Sequence, residues 1–328
     1  MQKSEFIDYA RGFSILTIVV FHLTQGLALP KILTYAFTFG SAGVHLFFFS
    51  SGFGLAKSNY TTYLAFLKKR LNNVLIPYYI TITIIFLANF WFKVYPPEWS
   101  KYLSHIFLFK MFWSRLDESL GGHFWFISTI IQFYLVFPLL LFFLRTKKYR
   151  RFFISSLIVS LTYSLGVGLS IYAQRRAVNG FFLQYLWEFT LGMVVAKTNS
   201  LDKLLRQPVI YYFIIAAICI PATALLALKG GAVGENLNDV FAFSGYTAIV
   251  IILYRLVPPL NKVILWITGF SYTLYLVHMF IFGCLYRPFM SGIFKGFTLP
   301  VIFLMILLIS YYYNLLLAKI TNPRTTKV

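Results

Sequence analysis

Apolar residues run along this 328-residue chain in long continuous stretches, separated by short polar connections. A helix that crosses a bilayer needs about 20 such residues. Ten runs meet or approach that length: 6–29, 35–56, 74–94, 124–144, 152–172, 180–197, 208–228, 239–256, 263–285 and 298–318, the sixth and eighth being short. Their hydrophobicity is continuous rather than alternating, which excludes a transmembrane β-barrel. The pattern predicts an all-α integral membrane protein of about ten transmembrane helices. Residues 1–328 form one polytopic domain in this reading, with no separate soluble domain. Most connections are short, as between adjacent antiparallel helices. The exception is 95–122, whose middle, 102–113, is apolar enough to lie in the membrane interface. The glycine-rich connection 229–239 lacks the strand–loop–helix setting of a phosphate-binding loop and reads as a turn. No internal repeat is visible, which argues against inverted-repeat transporters.

The first run carries polar residues where lipid would not tolerate them. Asp8, Arg11 and His22 interrupt it, and Gln25 follows one turn beyond His22. An ionised side chain near the middle of a membrane helix costs on the order of 2.5–3.5 kcal/mol on insertion scales and usually marks function. Arg11 and His22 are eleven residues apart, so they share a helical face about 16 Å apart along the axis. Asp8 stands three residues before Arg11, within pairing reach of its guanidinium. Such a stripe must face a protein interior or a watery cavity.

Composition agrees: 59% of residues are hydrophobic and 12% charged, with mean hydropathy +0.75. The net charge of +20 invites a nucleic-acid reading, but the basic residues are distributed as a topology signal. With the N-terminus inside, 18 Lys and Arg residues, among them the clusters Lys68–Arg70 and Arg145–Arg151, fall on the cytoplasmic side against about 10 on the other, as the positive-inside rule requires. Both termini are therefore predicted cytoplasmic, and no nucleic-acid partner is expected. The first run is too long, carries charges inside and lacks a convincing small-x-small cleavage site, so it does not read as a cleaved signal peptide. Cys219 and Cys284 both lie within apolar runs, so neither a disulfide framework nor a metal site is expected.

Six ordered motifs resemble a known family. Ile7-Asp8-Tyr9-Ala10-Arg11-Gly12 leads to His22; Gly43-Val44 is followed by Phe47-Phe48 and Ser51-Gly52-Phe53; Lys69-Arg70 precedes Pro77-Tyr78. Trp125 stands before Gln132-Phe133-Tyr134 and Pro138; Glu188-Phe189 before Gly192-Met193; Ser271-Tyr272 before Tyr275-Leu276-Val277-His278. Together these resemble the membrane acyltransferase family 3 over nearly the whole chain. The resemblance implies a membrane-bound O-acyltransferase of the cytoplasmic membrane. Such an enzyme moves an acyl group, commonly acetyl, from acetyl-CoA to a hydroxyl of a cell-surface glycan or similar acceptor. Acetyl-CoA is then a co-substrate, and no bound cofactor is expected. Many members carry a glutamate where this chain has Ile130, and an acidic residue where it has His45. Asp117 and Glu118 offer replacement carboxylates by location alone.

Acyl transfer to a hydroxyl needs a base of near-neutral pKa, and histidine supplies one. His22 is the expected base, and Asp8, pairing Arg11, is counted with it among the catalytic residues. Arg11, with Arg70 and Lys69, is expected to hold the CoA phosphates, a task suited to a planar, always-charged guanidinium. A buried Asp8–Arg11 pair of purely structural purpose is the competing reading. His278 shares a helical face with Tyr275 and Ser271 and is either a second acid/base or a histidine bonding between helices. Glu188 is either catalytic or paired with a cation such as Arg175 or Arg176. Ser51 and Gly52 line the substrate channel or serve close helix packing. Tyr275 and Tyr134 are assigned to the same channel, although Tyr134 also suits packing. His105 and His123 have no supporting constellation in the sequence. A polytopic exporter of a glycan or small metabolite is the runner-up reading, and an idle structural subunit of an envelope assembly is the third. CoA dependence separates the first two.

Overall fold

The computed structural model describes residues 3–25, 27–290 and 298–321. Arg324 and Lys327, part of the cytoplasmic charge count, lie outside them. All regular structure among the described residues is helical. The first helices are α1 (Lys3–Thr24), α2 (Lys31–Phe39), α3 (Gly43–Lys57), α4 (Tyr63–Phe92) and α5 (Trp99–Ile106). The middle of the chain forms α6 (Trp125–Arg145), α7 (Tyr149–Leu169), α8 (Arg176–Asn179), α9 (Leu186–Thr198) and α10 (Leu201–Leu205). It continues as α11 (Val209–Lys229), α12 (Gly231–Leu237), α13 (Asp239–Leu256), α14 (Pro258–Thr268), α15 (Ser271–Met290) and α16 (Thr298–Thr321). Local sequence sets several starts. Pro30, Pro208 and Val257-Pro258 lead into α2, α11 and α14, and the Thr62 hydroxyl accepts the Ala65 amide at the head of α4.

Among the described residues, eight spans are long and apolar enough to cross a membrane, α2 and α3 counting together as one. Two of the ten runs behave differently. The run 180–197 is helical only from Leu186, because residues 180–185 form turns, so α9 covers 13 residues, about 20 Å. The run 263–285 is broken at Gly269-Phe270, where α14 and the first part of α15 meet at 78°. Hydropathy summed along a window registers neither event.

α1 stands at the centre. Its first half (Phe6, Ile7, Tyr9, Ala10) joins an apolar cluster with α3, α6, α9 and α13. Its second half (Ile15, Val19, Leu23) joins another with α4, α15 and α16. Small residues let neighbours touch its backbone: a methyl at Gly43 would stand 2.9 Å from the Ser14 carbonyl oxygen. Gly12 likewise presses on the Ile264 carbonyl of α14, and the Thr268 hydroxyl donates to the Asp8 carbonyl at 2.7 Å. The crossing of α3 with α9 is closer still. A Cβ on Gly52 would collide with the Phe189 carbonyl oxygen, and one on Gly192 with that of Phe49.

The long connection before α6 is knitted by a buried lysine. Lys110 donates to the carbonyls of Asp117 (2.6 Å) and Gly121 (3.1 Å). Burial pushes its ammonium down to about 8, with Glu118 and Asp117 opposing the fall. His105 is held beside it, accepting from the Tyr78 hydroxyl at 2.7 Å and donating to the Ser119 carbonyl at 2.7 Å. Lys110→Met is expected to leave the Asp117 carbonyl unpaired, at about 1–3 kcal/mol, and the Gly121 carbonyl with only the 3.4 Å bond from the Phe124 amide. A drop of several degrees in the thermal unfolding midpoint of the purified protein would show it; an unchanged midpoint would mean that the lysine does not hold this segment.

Candidate functional site

A cavity of about 660 Å³ follows α1. Arg11, Ile18, His22 and Gln25 all line it, so it extends about 21 Å along the helix, three to four turns. The polar stripe predicted for α1 therefore does face an internal space. Ser51 and His45 of α3, Tyr134 of α6 and Tyr275 of α15 line it as well.

At the Arg11 end, the guanidinium donates to the Ser50 carbonyl at 3.1 Å and approaches the Asp8 carboxylate at 3.7 Å. Arg70 is close enough for its charge and that of Arg11 to oppose each other, and Tyr134 lies near both. Arg70 rests on the Phe66 ring, 5.8 Å from its centroid, and its buried Nε has no hydrogen-bond partner among the described residues. Two like charges with incomplete local pairing suit an anion. Of the three basic residues only Arg11 lines the cavity; Arg70 stands behind that wall and Lys69 is exposed. Asp8 is 45% exposed and fourteen residues, about 21 Å, from His22, so it acts on Arg11 and not on the histidine.

Three turns further along, His22 meets the second predicted histidine. His22 Nδ1 and His278 Nε2 are 2.8 Å apart. His278 Nδ1 faces the carbonyls of Leu274 (3.0 Å) and Tyr275 (2.9 Å), and an imidazole nitrogen facing carbonyls must carry the proton. With both rings neutral, His278 Nε2 is then the acceptor and His22 Nδ1–H the donor. That leaves the lone pair on His22 Nε2. The chain carbonyl–His278–His22 thus fixes one tautomer of the residue that lines the cavity. His278 itself is fully buried.

Sequence reasoning missed His123. It sits at the start of the α6 span, its ring centroid 4.8 Å from that of His278 and 6.1 Å from that of His22. Both its ring nitrogens are buried without hydrogen-bond partners among the described residues, and its carbonyl accepts the Tyr275 hydroxyl at 2.9 Å. A histidine after two glycines at the head of a span (Gly121-Gly122-His123) was the available signal. Glu118 also lines the cavity, and so does Ile130, where many relatives would place a carboxylate.

Glu188 takes neither partner proposed for it. It is fully buried and bonds His45, Oε1 to Nδ1 at 2.8 Å, while His45 Nε2 lies 3.7 Å from Asp239. His45 and Asp239 reach the cavity, whereas Glu188 lies behind them. Gly52 also departs from its expected place: it forms the α3–α9 contact and does not line the channel. The backbone approach there leaves no room for substrate.

The arrangement is that of a polytopic membrane protein with a tautomer-fixed histidine in an internal cavity and a paired cationic end. A family model described as an acyltransferase domain matches residues 4–318, and the chain belongs to that family, the membrane acyltransferase family 3. No curated protein and no solved structure matches the chain.

Proposed function

We propose that the protein is an O-acyltransferase of the cytoplasmic membrane. It moves an acyl group, acetyl in the simplest case, from cytosolic acyl-CoA to a hydroxyl of a cell-surface glycan or similar acceptor. The observation that carries this reading is the His22–His278 hydrogen bond in a cavity that also reaches Arg11. Both termini are placed in the cytoplasm on the basic-residue distribution, which puts Arg11 toward the inner side and His22 toward the outer half. Arg11 and Arg70 hold the CoA phosphates, with the exposed Lys69 next to Arg70 in the chain; an extended pantetheine arm is comparable in length to the roughly 16 Å between Arg11 and His22.

In the reaction, His22 Nε2 takes the proton of the acceptor hydroxyl as its oxygen attacks the thioester carbonyl. Collapse of the tetrahedral intermediate breaks the C–S bond. The thiolate leaves with the proton held by His22, giving the ester and free CoA. His278 stabilises the imidazolium formed in between by accepting from Nδ1–H. Ser51, Tyr134 and Tyr275 shape the passage.

Labelled acetyl-CoA binding to the purified protein, wild type beside Arg11→Ala, tests the donor assignment. Saturable binding by the wild type, weakened at least tenfold in the variant, is expected. A folded wild type that binds no acetyl-CoA would overturn the acyltransferase reading in favour of a glycan or metabolite exporter, which has no use for a thioester.

A further inference from the structure

The cavity wall holds a second constellation that the transfer chemistry leaves unused. His45, Glu188 and Asp239 come from three different helices, α3, α9 and α13, and each offers a ligand atom within 4.8 Å of the others. We propose that these three side chains bind one divalent first-row transition-metal cation, with zinc the best match. This inference does not rest on the acyl-transfer reading.

Three observations support it. First, Glu188 is fully buried, and its Oε2 has no hydrogen-bond partner among the described residues, although Oε1 bonds His45. A buried carboxylate oxygen left bare is costly, and a cation would satisfy it. Second, the cluster needs further positive charge. Two carboxylates face a single imidazole, so even a protonated His45 leaves one negative charge over, which either a proton on one carboxylate or a cation must balance. Neutral His45 with two carboxylates and a dication sums to zero. Third, the ligands are held from behind. Asp239 accepts from the Gln184 amide at 2.8 Å; that amide also donates to the Asn236 carbonyl at 2.8 Å, while Ser164 donates to Gln184 Oε1 at 2.9 Å. Such outer hydrogen bonds orient metal ligands.

One nitrogen and two oxygen donors suit zinc, with manganese and ferrous iron behind it in affinity. Calcium and magnesium prefer oxygen alone. His45 and Asp239 both line the cavity, which supplies an entry path. Three protein ligands leave a fourth position open toward that space, the pattern of a site that also takes water or a substrate oxygen.

The test uses the full chain in detergent, stripped with chelator and dialysed against Zn²⁺ alone, with bound metal counted by elemental analysis. One equivalent is expected, falling at least tenfold in affinity in both Glu188→Gln and Asp239→Asn. Co²⁺ in place of zinc should give visible d–d bands of a four- or five-coordinate site, which His45→Gln shifts or removes. Thermal unfolding without metal establishes that each variant folds, and any one folded variant suffices. No bound zinc in the wild type, or binding untouched in the folded variants, would overturn the proposal. The three residues would then be a proton-sharing cluster and nothing more.

Discussion

His22→Gln is expected to lower acyl transfer by about 10²–10⁴-fold while acetyl-CoA still binds normally. That range is what a positioned general base contributes. Glutamine is chosen because its amide can still donate to His278 Nε2, which His22 Nδ1 meets at 2.8 Å, so packing and orientation survive while the basic lone pair is lost. The readout is labelled acetyl incorporated into the surface-glycan fraction by membranes carrying the variant, set beside acetyl-CoA binding to the purified protein. His278→Phe provides the contrast. It leaves His22 Nδ1–H without its acceptor, so transfer should fall while donor affinity stays, and His278→Gln should recover part of the loss. Transfer by His22→Gln within a few-fold of the wild type would remove His22 as the base. Loss of donor binding in the same variant would mean that the substitution damages the cavity itself.

The residues that were legible in the sequence are those whose cost is visible one helix at a time. Arg11 and His22 stood out because ionisable groups inside an apolar run need an internal face, and the cavity along α1 provides it. His278 announced itself through its face-sharing with Tyr275, although its role as the orienting partner of His22 needed two helices, α1 and α15, brought together over 256 residues. The partners of Glu188 were hidden for the same reason. Nothing near it in sequence indicates His45, 143 residues earlier, or Asp239 at the first turn of α13. Span counting failed where backbone geometry overrules hydropathy: at the turns before Leu186 and at the 78° break near Gly269. Gly52 shows the converse. The bland reading, small residues for close packing, describes its position, and the channel reading does not.

Gly52→Leu is expected to leave no correctly folded protein. α3 and α9 touch through their backbones at two points, Gly52 against the Phe189 carbonyl and Gly192 against the Phe49 carbonyl. In a membrane, helix association rests on this kind of close packing, because lipid tails give no hydrophobic drive between helices. A leucine must therefore push the helices apart. Ordinary overpacking costs about 1–3 kcal/mol when side chains can shift; here the obstacle is backbone, which cannot rotate away, so the cost is larger. The separation would also break the 2.8 Å His45–Glu188 bond between the same two helices. Ser51 and His45, carried on α3, would leave their places in the cavity wall. Gly52→Ala should fall between, with a lowered unfolding midpoint and reduced yield of monodisperse protein. Size-exclusion profiles and thermal unfolding of the three forms give the ranking. A Gly52→Leu protein that elutes and melts like the wild type would show that the α3–α9 contact is looser than the backbone geometry requires.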